Sequence, residues 1–133
     1  MARRVLSFLL DSVILIDHFN GIAEATTYLS QMHGQLAISV ITRAEVLAGF
    51  DPEDAALAIQ LLDRFPTLII DRSVADLAAR LRRTHRWKMP DALQAAVAQH
   101  HALRLVTRNT RDFPPDLHSF VVVPSTLLTD SPS

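Results

Sequence analysis

Four acidic side chains draw attention before anything else in this chain: Asp11, Glu45, Asp91 and Asp112. Each stands just past a short apolar run or at the opening of a helical one, so a fold that gathers those ends gathers four carboxylates. Such a cluster repels itself and cannot stay fully ionised without cost. A divalent cation removes the conflict and gives the cluster a purpose. Hard oxygen donors suit Mg²⁺ or Mn²⁺ better than zinc. The chain has no cysteine, so a thiolate site and a disulfide framework are both excluded. The chemistry open to such a site is phosphodiester hydrolysis, with bound water as the nucleophile and one ion or two supporting the charge.

Each acid also has an ordinary structural explanation. Asp11 can cap the helix that follows it. Thr42-Arg43-Ala44-Glu45 fits a capping box, in which Glu45 reaches back to the Thr42 backbone N–H. Asp91 suits the first turn of a helix, where the dipole favours an acid. Asn109 and Asp112 can form a local cap of their own. The argument for chemistry therefore rests on all four acids together.

The elements that must position them can be read from the apolar pattern. Val5 to Leu10 is a short apolar run and reads as a buried strand ending at Asp11. Val13 to Phe19 forms a short helix closed by Asn20-Gly21, and Ile22 to Met32 a second, closed by His33-Gly34. Leu36 to Ile41 is a second strand, after which Thr42 opens a helix through Leu47 with Glu45 in its first turn. Asp51-Pro52 starts a helix with Ala56, Ile59, Leu62 and Phe65 on one stripe, and Leu68 to Ile70 is a third strand. Ser73 caps a helix whose inner face carries Val74, Leu77, Ala78 and Leu81. Pro90 fits the first turn of the next helix, which runs through Ala102. Leu103 to Val106 and Phe120 to Val123 complete the strands, and residues 129–133 read as a frayed tail. Short strands, apolar on both faces and alternating with helices, predict an α/β domain with a mostly parallel sheet covered by helices. Sites in such sheets form beyond the carboxyl ends of the strands, where Asp11, Glu45 and Asp112 are expected and where Asp91 joins them if its helix begins there.

Composition sets outer limits. The 133 residues are one domain's worth of chain, with 49% hydrophobic residues to build a core. A net charge of −1 argues against nucleic-acid binding by charge alone, though an acidic pocket with a basic rim would cancel in the sum. The basic residues are uneven: Arg80, Arg82, Arg83, Arg86 and Lys88 form one group, Arg104, Arg108 and Arg111 another. Taken singly, each group reads as a solvated face. Asp11 and Asp17 interrupt the apolar start, so neither a signal peptide nor a membrane span is expected, and a reducing cytoplasm is the expected location. The histidines at 18, 33, 85, 100, 101 and 118 offer no pair at the one-turn spacing of helical zinc sites. Trp87 beside Arg86 and Lys88 reads as a packing residue, with base stacking as the alternative. Three glycines do not make a phosphate-binding loop, and no serine sits in a nucleophile elbow.

Leu9-Leu10-Asp11-Ser12, Ile38-Ser39-Val40-Ile41-Thr42-Arg43-Ala44-Glu45, Pro90-Asp91-Ala92-Leu93-Gln94-Ala95-Ala96 and Val106-Thr107-Arg108-Asn109-Thr110-Arg111-Asp112-Phe113 resemble, in order and spacing, the motifs of PIN-domain nucleases. Size and helix content resemble the VapC-type toxins of bacterial toxin–antitoxin pairs. The resemblance spans nearly the whole chain and implies a three-layer PIN-like domain. It also implies an Mg²⁺- or Mn²⁺-dependent endoribonuclease, an antitoxin partner that blocks the site, and a homodimer. Two positions depart from the family pattern: Val13 stands where a polar residue is common after Asp11, and Gln94 where an isoleucine is common.

Carried over by position, Asp11 and Asp91 are expected to hold the principal metal. Glu45 completes its shell and orients the attacking water, and Asp112 holds a second ion or tunes the first. Ser12, Thr107 and Asn109 are expected to support these groups, and Arg108 and Arg111 to hold RNA phosphates. Two other functions are compatible with the residues: a catalytically silent protein-binding module of the same fold, and a metal-dependent hydrolase of DNA or of phosphate esters.

Overall fold

The computed structural model describes residues 6–124, so Val5 and the tail at 129–133 lie outside the described residues. The elements run β1 (Phe8–Leu10), α1 (Ser12–Phe19), α2 (Ala23–Gln31), β2 (Leu36–Ser39), α3 (Val40–Ala48), α4 (Pro52–Leu62), β3 (Thr67–Leu68), α5 (Arg72–His85), α6 (Met89–His100), β4 (Arg104–Val106) and β5 (Val121–Val122). The sheet has the order β3-β2-β1-β4-β5, and every pairing is parallel. The expectation of a mostly parallel sheet is thus met in full. The central strand β1 sets Phe8 and Leu9 against Leu36 and Ala37 of β2, and Leu10 against Val106 of β4.

Alternation along these short strands divides the core in two. Leu9, Ala37, Leu105 and Val121 pack with Val74, Ala78, Ala92, Ala95 and Phe113, under α5 and α6. Leu10, Leu36, Ile38 and Val106 pack with Ile14, Leu15, Ala25, Tyr28, Val46 and Leu62, under α1 to α4. The result is three layers, with the sheet covered on both sides, which is why the strands read as unbroken apolar runs. The alanine-rich face of α6 lets it lie close to the sheet, with Ala92, Ala95, Ala96, Val97 and Ala98 fully buried.

Several boundaries differ from the sequence reading, each for a local reason. β2 ends at Ser39, because the Ser39 hydroxyl accepts the Thr42 backbone N–H at 3.1 Å and caps α3. Thr42 is therefore the third residue of the helix and not its cap, and Glu45 falls in the second turn. Asp71 caps α5 by accepting the Val74 N–H at 3.0 Å, so Ser73 lies inside the helix. In α4 the buried face is Ala58 and Leu62 with Ile59 beside them, and Ala56 is exposed. α6 stops at His100 because Ala102 takes a left-handed conformation at φ 55°. The Leu103 N–H then bonds back to the Ala98 carbonyl at 2.8 Å and the Ala102 N–H to that of Gln99 at 3.2 Å, the Schellman pattern that turns a helix into a strand. β3 and β5 are two-residue strands, Thr67–Leu68 and Val121–Val122, shorter than their apolar runs.

Candidate active site

The carboxyl ends of β1, β2 and β4 lie side by side, and the N-terminal turn of α6 opens beside them. This places Asp11, Glu45 and Asp91 on one open cleft of about 450 Å³, together with Ser12 and Val13 on one side and Asn109, Thr110 and Arg111 on the other. Pro90, Gln94 and Arg108 complete its lining. Asp112 is not among the lining residues, yet it is near enough to act on Asp91 through its charge.

Asp11 is the most tightly held of the four. It is the N-cap of α1, with Oδ1 accepting the Ser12 backbone N–H at 2.8 Å. Its other oxygen, Oδ2, accepts the Thr107 hydroxyl at 2.7 Å. The capping function and a place in the cleft are thus compatible. The Thr107 hydroxyl is fully buried and also accepts the Asn109 N–H at 2.9 Å, which leaves its own proton for Asp11. Thr107 and Ser12 do contact Asp11, Ser12 through its backbone.

A third donor was not legible as such. Gln94 is buried on α6, and its Nε2 lies 3.5 Å from Asp11 Oδ1 and 2.8 Å from the Thr42 hydroxyl oxygen. The direction of this network is fixed at both ends by backbone groups. The Thr42 N–H donates to Ser39 Oγ, so the Ser39 hydroxyl donates to Gln94 Oε1. The Thr42 hydroxyl donates to the Leu10 carbonyl at 3.2 Å, so it accepts from Gln94 Nε2. The amide must therefore present its N–H₂ toward Asp11. Ser39, Thr42 and Gln94 are all buried, and among the described residues no buried side-chain polar atom lacks a partner. The departure at 94 from an apolar family residue is thus part of the site; a polar residue on the buried face of a helix was the available signal.

Asp91 is the third residue of α6, in the first turn, and is half-buried. Its pKa is pushed up to about 6, first by burial and then by the charges of Asp112, Asp11 and Glu45, with Lys88 pulling the other way. Glu45 is exposed on α3. Asp112 is exposed and engaged in the local turn that Asn109 allows: the Asn109 side-chain NH₂ donates to Asp112 Oδ2 at 3.0 Å, and the Asp112 N–H to Asn109 Oδ1 at 3.3 Å.

The segment 107–113 is tied down from two sides. The Arg108 guanidinium bonds Asp17 of α1 through one edge, Nε to Oδ2 at 2.6 Å and Nη2 to Oδ1 at 2.9 Å. Asp17 is 8% exposed, and an acid in the midst of the apolar Ile14–Phe19 stretch was the sign of a buried partner. Arg108 borders the cleft with that edge of its fork already committed. On the other side, the Trp87 indole N–H donates to the Asp112 carbonyl at 2.9 Å. Trp87 is buried between His85 and Phe113, with His118 at its rim, which settles its role as packing and removes base stacking.

The donor set fits a hard divalent cation. Burial first, and then the charges of Asp112, Asp11 and Glu45, raise the pKa of Asp91 and so oppose its ionisation, a conflict that a cation resolves. Among the described residues no three Asp, Glu or His side chains already stand around a common point. Mg²⁺ does not require them to, since it keeps several waters and takes only one or two carboxylates directly. Asp11, held by three donors, and Asp91, the acid most in need of a positive neighbour, are the two suited to direct contact.

The chain is similar in sequence and fold to known proteins. The model of the family described as PIN domain matches residues 8–114. The chain is 36% identical over 113 residues to Ribonuclease VapC10 of Mycobacterium tuberculosis, covering 80% of this chain and 85% of that protein. It is 29% identical over 119 residues to Ribonuclease VapC19 of the same organism, covering 82% and 95%. Among solved structures, a toxin–antitoxin complex from Klebsiella pneumoniae contains a chain that superposes with a TM-score of 0.82 at 38% identity, covering 88% of this chain and 97% of that one. The parallel sheet, the 36% identity and the match over residues 8–114 lead to one statement: this chain belongs to the PIN domain family.

Proposed function

We propose that this protein is an Mg²⁺- or Mn²⁺-dependent endoribonuclease and the toxin of a toxin–antitoxin pair. The observation that carries the reading is the shared cleft of Asp11, Glu45 and Asp91 at the carboxyl edge of the sheet, in a chain 36% identical to a named ribonuclease. Asp11 and Asp91 hold the ion. Bound there, it supplies charge for the phosphate in transit and a water of lowered pKa for attack. Glu45, exposed at the mouth of the cleft, orients that water. Asp112 sets the charge felt by Asp91, or takes a second ion. Ser12, Thr107 and Gln94 keep the Asp11 carboxylate in one orientation, and Asn109 holds the turn that carries Asp112. Arg111 lines the cleft and holds substrate phosphate. Arg108 lends its charge to the same rim while its fork anchors the loop to Asp17.

The partner is an antitoxin protein that covers this cleft, and the working form is a homodimer. The likeness to a chain from a toxin–antitoxin complex supports the partner. Expression in a bacterial host tests the reading: the wild type is expected to arrest growth, and Asp11→Asn, folded and equally abundant, to leave growth unaffected. Arrest by both proteins would separate toxicity from the acidic cleft and refute the assignment.

A further inference from the structure

Next to the acidic cleft lies a second hollow of the opposite sign. Residues 77–90 contain Arg80, Arg82, Arg83, Arg86 and Lys88 and no acid. All five basic side chains are exposed. Arg82, Arg83 and Arg86 line, with Ala79 and Met89, an open concavity of about 550 Å³ at the junction of α5 and α6. Arg80, Arg83 and Arg86 make no ion pair with any described residue. The net charge of −1 therefore conceals a locally basic stretch.

The junction is built to keep its shape. Arg86 caps α5 in the left-handed conformation, φ 60° and ψ 29°, a place where glycine is the usual choice. The Arg82 guanidinium donates to the Trp87 carbonyl at 2.8 Å, and the buried Trp87 ring anchors the turn to the Asp112 carbonyl. The basic hollow is thus fastened to the segment that carries Asp112. It neighbours the cleft along the chain: Met89 lines the hollow, and the next residue, Pro90, lines the cleft together with Asp91. Lys88 is close enough to act on the charge of Asp91.

We propose that this hollow, with the exposed Lys88 that adjoins Met89 in the chain, is a phosphate track for RNA, holding the backbone next to the nucleotide at the cleft, through Arg83, Arg86 and Lys88. The inference rests on the nuclease reading and extends it to how substrate is held. Asp11, Glu45 and Asp91 repel a polyanion in the cleft, where, among the described residues, Arg108 and Arg111 are the only basic ones lining it, so a longer strand gains from cations outside the cleft. A strand carries phosphates at short regular spacing, and arginine forks match them in geometry as well as charge. Residues of this kind hold the backbone without reading sequence.

Binding of a fluorescent single-stranded RNA 12-mer is measured by anisotropy in EDTA, which stops cleavage, at salt concentrations from 50 to 200 mM. The Arg83→Gln/Lys88→Gln double variant is compared with the wild type, melting being used to show that both are folded. Each lost phosphate contact lowers the slope of log K against log salt by about 0.7 for a single strand, so two lower it by about 1.4. The wild-type advantage over the variant then shrinks about sevenfold across that salt range. An unchanged slope and affinity would overturn the proposal. So would loss of binding to a hexaglutamate peptide with RNA binding intact, which would assign the hollow to an acidic protein segment. If the wild type cleaves RNA with metal while the variant binds like the wild type, only the track falls; if the wild type neither binds nor cleaves RNA, the nuclease reading falls with it.

Discussion

Asp91 sits in a site that works against its own ionisation. Its pKa of about 6 exceeds the value near 3.9 of an unfolded aspartate, so the folded protein binds this proton more tightly than the unfolded chain. Linkage then fixes the sign: the group favours folding below pH 4, and its contribution is lost as pH rises through the interval from about 4 to 6. Asp91→Asn removes the charge and keeps the shape. In EDTA at pH 7 the variant is expected to melt above the wild type, while below pH 4 the two converge; thermal melts across pH 3–8 would show it. A variant that melts lower at pH 7 would mean that the carboxylate is stabilised and not strained. Gln94→Met tests a different kind of contribution. It keeps the volume but removes the donor to Asp11, the acceptor of the Ser39 hydroxyl proton and the donor to the Thr42 hydroxyl oxygen. Loss of a group that orients a metal-holding carboxylate costs about 10- to 100-fold in metal affinity, and buried polar groups left unpaired cost about 1–3 kcal/mol. Calorimetric Mn²⁺ titration and urea unfolding read the two effects separately, and unchanged Mn²⁺ binding in a destabilised variant would reduce Gln94 to a core residue.

Elements decide which acids meet, and here the segment 107–113 is the critical one. It is irregular apart from its short turns, and it depends on the Arg108–Asp17 pair and the Trp87–Asp112 bond. Asp17→Ala is expected to cost about 1–2 kcal/mol in stability, a charge-assisted pair with one member partly in water. The more telling effect is local: hydrogen exchange in 107–113 should speed up while β1 and β4 stay protected. Uniform loss of protection would show that Asp17 supports the whole fold instead. The strand and helix order, the parallel sheet and the placing of Asp11 and Asp91 were legible because unbroken apolar runs and first-turn signals are local in sequence. The boundaries were less so. Thr42 and Ser73 are both hydroxyl residues in plausible cap positions, yet Ser39 and Asp71, a few residues earlier, are the caps, accepting the Thr42 and Val74 N–H groups. The Gln94 network and the Asp17–Arg108 pair join residues 52 to 91 positions apart, a separation at which no periodicity carries information.

At the scale of the whole molecule, charge is sorted. Asp11, Glu45 and Asp91 meet at the carboxyl edge of the sheet, and Arg82, Arg83 and Arg86 line the hollow at the α5–α6 junction. This sorting lets a chain of net charge −1 act on a polyanion once a cation is present. Among the described residues no helix is long and apolar enough to cross a membrane. The measurement that tests the account most directly is cleavage of structured RNA by purified, partner-free protein in Mn²⁺, in Mg²⁺ and in EDTA, beside Asp91→Asn. The account predicts cleavage with either metal, none in EDTA and none by the folded variant. Cleavage that persists in EDTA, or in Asp91→Asn at the wild-type rate, would contradict it.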